Sequence, residues 1–142
     1  MKKRSTVESV IQKGIIKFRD EAHPYYIGLE WLHAIPNGGA RDVISAKILK
    51  DEGVTPGVWD LSLPVPIFQD PFAYHGLYME VKRPAGPWGK KGYLSLAQKK
   101  FGRWANRVGY AIFVPYSTQE GIDAIMRYLS GNWVQPQYSW MK

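Results

Sequence analysis

Six consecutive residues, Leu77-Tyr78-Met79-Glu80-Val81-Lys82, alternate between two characters. In an extended strand successive side chains point to opposite faces. Leu77, Met79 and Val81 therefore share an apolar face, and Tyr78, Glu80 and Lys82 share the other. A strand with one apolar face belongs to a sheet packed against another layer. This is the firmest single constraint on what the chain can become.

The flanking patterns supply the layers. Val7, Val10, Ile11, Ile15 and Phe18 recur at helical spacing and predict a helix from Ser5 to Asp20. Ser5 and Glu8 fit a capping box at its start. Glu30 to Ile35 reads as a short strand, turned by Pro36-Asn37-Gly38-Gly39. Asp42 to Glu52 reads as a helix with Asp42 as N-cap and Gly53 just past its end. Val58 to Leu63 reads as a strand, Pro64 to His75 as a proline-bearing loop, and Pro84 to Gly92 as a second loop. Ser95 to Val108 reads as a helix with Ser95 and Gln98 as a capping box. Its expected buried stripe is Phe101, Trp104, Ala105 and Val108. Tyr110 to Pro115 is a strand, and Ser117 to Leu129 a last helix capped by Ser117 with Glu120. The order α-β-α-β-β-α-β-α points to a mixed α/β sandwich with a central sheet.

The 142 residues fit one domain, with a core over about 5–130 and a tail over 131–142. There are no cysteines, so disulfides, thiolate zinc sites and a cysteine nucleophile are excluded. No apolar run approaches the roughly 18 residues of a membrane helix, and no apolar stretch of roughly 7–15 residues follows the basic start, so a signal peptide is not expected. A cytoplasmic protein without a membrane partner is the expectation. Lys and Arg number 19 against 12 Asp and Glu, a net charge of +7. Such a chain is drawn to polyanions, and nucleic acid is the commonest.

Asp60 lies within one expected strand, and Glu80 with Lys82 on one face of the next. If those strands pair, two carboxylates and one ammonium converge. Carboxylates brought together repel, and a hard cation removes that cost. Mg²⁺ takes oxygen ligands from one or two carboxylates, phosphate and water. It can activate water and neutralise a scissile phosphate, while Lys82 orients the water or stabilises developing charge. Taken alone, the same residues also describe a solvated strand face.

Their setting resolves this. Asp60 followed at a distance by Glu80-Val81-Lys82 resembles the signature of the PD-(D/E)XK nuclease superfamily. Pro36-Asn37-Gly38-Gly39, Lys47 and Leu49, and Gly53-Val54-Thr55-Pro56-Gly57-Val58-Trp59-Asp60-Leu61 look like the virus-type replication-repair nuclease (VRR-NUC) domain. So do Gly76 to Lys82, Leu94-Ser95-Leu96-Ala97-Gln98, Gly109-Tyr110 and Tyr128-Leu129. The likeness spans roughly residues 5 to 130. Trp59 departs from the family, which often has Pro before the catalytic Asp; altered packing is the expected result.

The resemblance implies an α/β fold with a PD-(D/E)XK (restriction-endonuclease-like) core, a central mixed β-sheet flanked by helices. It implies Asp60, Glu80 and the Val81 backbone carbonyl as ligands to Mg²⁺ or Mn²⁺, Lys82 as the catalytic lysine, and Gln98 as a supporting polar group. Glu8 holds the place of an acid on the first helix that acts near the metal, often through water; it is also the capping partner of Ser5. The implied activity is hydrolysis of DNA phosphodiesters by a stand-alone phage or prophage type. The implied substrate is branched DNA such as four-way (Holliday) junctions, cut by a homodimer. A non-catalytic DNA-binding module retaining the fold is the alternative, as is a nuclease on linear or flap DNA.

No acidic residue occurs from Val81 to Gln119. Lys99, Arg103 and Arg107 fall four apart and form one helical stripe, expected to contact phosphates. Arg83, and Lys90 and Lys91 in the loop, extend it, with Trp88 as a stacking group or a core residue. Asn37 and Arg41 are further expected DNA contacts. Trp133 and Trp140 in the tail are candidates to cover a subunit interface.

Overall fold

The computed structural model describes residues 6–36, 42–87 and 89–142. Helix α1 spans Thr6–Ala22, followed by short 3-10 turns at His23–Tyr25 and Leu29–Trp31 and strand β1 at His33–Ala34. Helix α2 covers Val43–Asp51, and β2 covers Leu61–Leu63. Strands β3 (Ile67–Gln69) and β4 (Phe72–Tyr74) precede β5 (Leu77–Met79). Helix α3 (Leu96–Arg107), strand β6 (Ala111–Phe113) and helix α4 (Thr118–Leu129) complete the domain, and a 3-10 turn at Ser139–Met141 lies in the tail.

The main sheet has the order β1-β2-β5-β6. β1, β2 and β5 pair antiparallel, and β6 joins β5 in parallel through the α3 crossover. The sheet is mixed and flanked by helices. Leu61, Leu63, Leu77, Met79 and Val81 enter one core with Ile11 and Ile15 of α1 and Ala124, Ile125 and Tyr128 of α4. On the other face Trp59, Ile112 and Val114 pack with Ala105 of α3, with Tyr138, Trp140 and Met141 of the tail closing that cluster. The alternation of Leu77 to Lys82 is thus the division between two cores. Among the described residues no helix is long and apolar enough to cross a membrane.

Local signals placed the helices well. Asp42 caps α2 by accepting from the Ser45 N–H at 2.6 Å, and Gly53 follows with a left-handed φ of 105°. Ser95 and Gln98 form the expected capping box, and Ser117 accepts from the Glu120 N–H. Ser5 lies outside the described residues, and with it the box it would form with Glu8.

Other expectations need correction. Only His33–Ala34 of the segment from Glu30 is strand, because Gly28, with a φ of 88°, opens a 3-10 turn over Leu29–Trp31. The segment from Pro64 to His75 contains the hairpin β3–β4. Its Gln69 side chain is held by both the N–H and the carbonyl of Trp133. Trp104 and Val108 are exposed, not buried. The buried face of α3 is Gly102 and Ala105, because Trp59 and Trp140 occupy the space beneath. A Cβ on Gly102 would lie 2.5 Å from the Trp59 ring.

The tail runs along β6, an edge strand of the main sheet. The Gln135 amide accepts from the Ile112 N–H and donates to the Ile112 carbonyl, at 2.9 and 2.8 Å. The Tyr138 hydroxyl accepts from the Val114 N–H at 3.0 Å. Trp133 is buried in the first core, and Trp140 meets Trp59 edge to face at 6.0 Å. Trp133 is therefore taken up by its own chain, whereas Trp140 packs on Trp59 and stays half-buried.

Candidate active site

Asp60 precedes β2, and Glu80 follows β5. The observed register pairs Leu61 with Met79; one step further, Asp60 stands opposite Glu80. There the two strands stop exchanging backbone bonds, and the side chains take over. The Val81 N–H donates to Asp60 Oδ2 at 3.0 Å, and the Asp60 N–H donates to Glu80 Oε1 at 3.2 Å. On its other side this segment stays tied to the end of β6 and the chain just after it: the Glu80 and Lys82 N–H groups donate to the Phe113 and Pro115 carbonyls. The sheet opens at one point, and the acids stand in the opening. The expectation that Asp60 sits mid-strand is corrected accordingly.

Asp60 is 6% exposed and Glu80 2%. Carboxylates so deeply placed need charge-assisted partners. Lys82 Nζ lies 3.6 Å from Glu80 Oε2, with its side chain 12% exposed. Gln98 Nε2 donates to the same Oε2 at 3.0 Å. Its Oε1 accepts from the Ser95 N–H at 2.8 Å, so one amide closes the capping box and reaches the acid. The structure brings Asp60, Glu80, Lys82 and Gln98 together.

Glu8 reaches the rim. Its Oε2 accepts from the Arg83 N–H at 3.3 Å, one residue beyond Lys82. Among the described residues no three His, Cys, Asp or Glu gather as a cation cage. The donors present are nonetheless hard oxygens of the kind Mg²⁺ and Mn²⁺ take. A cation held by two carboxylates completes its shell with carbonyl, water or phosphate oxygen. The residues fit such an ion.

The residues expected to touch DNA divide. Arg83 Nε and Nη2 both donate to the Lys90 carbonyl, at 3.0 and 2.6 Å, clamping the loop that follows. Arg103 Nη1 donates to the Trp140 carbonyl at 2.9 Å, and Lys99 is half-buried. Lys90, Lys91 and Arg107 are exposed, and Lys91 Nζ lies 4.2 Å over the Tyr116 ring. Asn37, Arg41 and Trp88 lie outside the described residues.

One positioning residue was not foreseen from the sequence. Trp59 is fully buried, and its indole N–H donates to the Gln98 carbonyl at 2.8 Å. It joins the residue before Asp60 to the helix that presents Gln98. The sequence signal was the departure from Pro at that position, which marked packing but not this bond. No family model, no curated protein and no solved structure matches the chain.

Proposed function

We propose that the chain is a divalent-metal-dependent endonuclease that hydrolyses DNA phosphodiester bonds. The observation that carries this is the placement of Asp60 and Glu80, both nearly buried, at one opening of the sheet with Lys82 and Gln98 upon them. A merely solvated strand face would leave those acids in water. A PD-(D/E)XK core is the finer fold assignment that belongs to this reading. It accounts for a mixed sheet whose acids flank the point where two strands part.

Asp60, Glu80 and the Val81 carbonyl would hold the ion, Mg²⁺ or Mn²⁺. When bound, the ion supplies Lewis acidity toward a phosphate oxygen and a more acidic water. The chain's own residues do the rest. Gln98 fixes the Glu80 carboxylate through Oε2. Lys82 places an ammonium beside that carboxylate, where it offsets charge developing on a phosphate and orients a water. Trp59 holds α3, and so Gln98, in register with Asp60.

Nicking of a labelled DNA in Mg²⁺ tests the reading. Lys82→Ala and Lys82→Met are each expected to lose about a hundredfold or more in rate, and EDTA to abolish it. Undiminished nicking by both variants would sink the proposal. A non-catalytic DNA-binding module is the second reading, favoured only if DNA is bound and never cut. A panel of linear duplex, flap, single strand and four-way junction, in Mg²⁺ and in Mn²⁺, tests the preference for branched DNA. Equal cleavage of linear duplex and junction would remove that preference. A homodimer belongs to the same reading, and light scattering returning the mass of one chain would remove it while leaving the chemistry standing.

A further inference from the structure

The outward face of α3 carries an arrangement that the site does not use. Leu96, Lys100, Trp104, Arg107 and Val108 are spaced three and four apart or adjacent, and so lie within one arc of the helix. All five are exposed, Leu96 at 84% and Trp104 at 54%. The opposite side, with Gly102 and Ala105, faces the second core. Lys100 stands four residues before Trp104 and Arg107 three after it, so both cations neighbour the indole.

A solvated helix face ordinarily mixes charges and carries no large apolar groups. Here the signs do not mix. Val81 to Gln119 holds no Asp or Glu. Among the described residues neither Lys100 nor Arg107 forms an ion pair. The indole is also steadied from beneath. Its ring centroid lies 6.2 Å from Phe101, which meets Tyr78 edge to face at 5.0 Å and Trp59 at 6.4 Å. A half-open indole on a helix, with a cation a turn away on each side and no acid in its own stretch of chain, complements a flat aromatic surface flanked by phosphates.

We propose that this face binds DNA at unpaired nucleotides, with Trp104 as the stacking platform and Lys100 and Arg107 on the flanking phosphates. The proposal rests on the nuclease reading of the Asp60–Glu80–Lys82 site and narrows its substrate to DNA in which duplex gives way to single strand. A fully paired duplex keeps the faces of its bases inside the stack and offers Trp104 no partner. Trp104 stands six residues after Gln98, about 9 Å along the helix axis. About 120° of turn around the axis separates them as well, so the indole faces away from Glu80 and would hold the strand outside the site. Trp104 is a positioning residue.

Fluorescence anisotropy separates the possibilities. One labelled duplex carries a short run of unpaired thymines and a second of equal length is fully paired; Ca²⁺ replaces Mg²⁺ to hold off cleavage. Trp104→Ala is expected to weaken the interrupted duplex about tenfold and to leave the paired one within about twofold. Trp104→Phe should restore most of the loss. Lys100→Ala with Arg107→Ala should weaken both duplexes and reduce the salt dependence. In Mg²⁺, kcat at saturating interrupted duplex should not change in Trp104→Ala while KM rises. If the alanine variant melts early, Trp104→Leu keeps an apolar group on Phe101 and makes the same comparison. An equal loss on both duplexes, or none, overturns the platform and leaves the nuclease reading to its Lys82 test. A wild-type chain that binds neither duplex overturns both. If Trp104→Ala leaves DNA binding intact but abolishes binding to phosphatidylserine vesicles, or halves the mass of the particle, the face belongs to a membrane or a second copy, and the proposal fails.

Discussion

A single amide does two jobs at Gln98. Its oxygen ends the backbone of α3, and its nitrogen holds Glu80. The sequence made the first job visible, because a capping box is a local pattern whose two partners stand three residues apart. The second depended on a contact across the fold and was reached only through family resemblance. Trp59 shows the limit of that route: a likeness carried by motifs is silent about the bond made by a residue outside them. Glu8 poses the remaining question at this scale. Its carboxylate accepts from the Arg83 N–H at the rim of the site. If it also serves the cation, Glu8→Gln will keep a side-chain oxygen for that bond and still lose activity by tenfold or more, at a stability cost of about 1 kcal/mol or less. Single-turnover rates beside thermal melts check this, and matched losses of stability and rate would return Glu8 to a structural role.

Elements bounded by local chemistry were legible, and elements bounded by long-range pairing were not. The caps at Asp42, Ser95 and Ser117 fixed where α2, α3 and α4 begin. The ends of β2 and β5 were overestimated because carboxylates, not backbone carbonyls, take the next amides. The buried face of α3 was misassigned for a steric reason. Periodicity sought large residues inward, but two Trp rings from elsewhere left room only for Gly102 and Ala105. The join between β2 and α3 is similarly tight at Gly57, which has a φ of 95° and whose missing Cβ would lie 2.6 Å from the Ala97 carbonyl oxygen. Gly57→Ala is expected to cost about 2 kcal/mol or more, since strain and clash act together. It should also reduce activity, by shifting the first turn of α3 against Asp60. Chemical denaturation measures the first effect; an unchanged midpoint would show that the turn relaxes freely.

For the molecule as a whole, the two-faced sheet was legible in the alternation from Leu77 to Lys82, whereas the role of the tail was not. Side chains without periodicity give no warning that they will line a strand. The tail also shapes the response to alkali. Burial pushes the Tyr138 hydroxyl up to about 12 from an ordinary value of 10.0, and burial raises Tyr128 as well. The folded chain keeps these protons where the unfolded chain has lost them. Their contribution is therefore whole below about pH 10 and fades as pH climbs toward 12. Tyr138→Phe should lower the melting temperature at neutral pH by removing the acceptor for the Val114 N–H, and should make the alkaline decline shallower. Melts taken across that range check both, and a decline as steep as wild type would assign it to other groups.

The bonds from Gln135 and Tyr138 to Ile112 and Val114 have a consequence for solubility. A sheet margin with vacant amides is a template for another chain's strand. Here glutamine and tyrosine side chains occupy that margin as a stopper would. Cutting the chain before Gly131 should leave a protein that still forms its helices but self-assembles, staining with thioflavin T and filling inclusion bodies. The last dozen residues would then guard against fibrils as much as they complete a core.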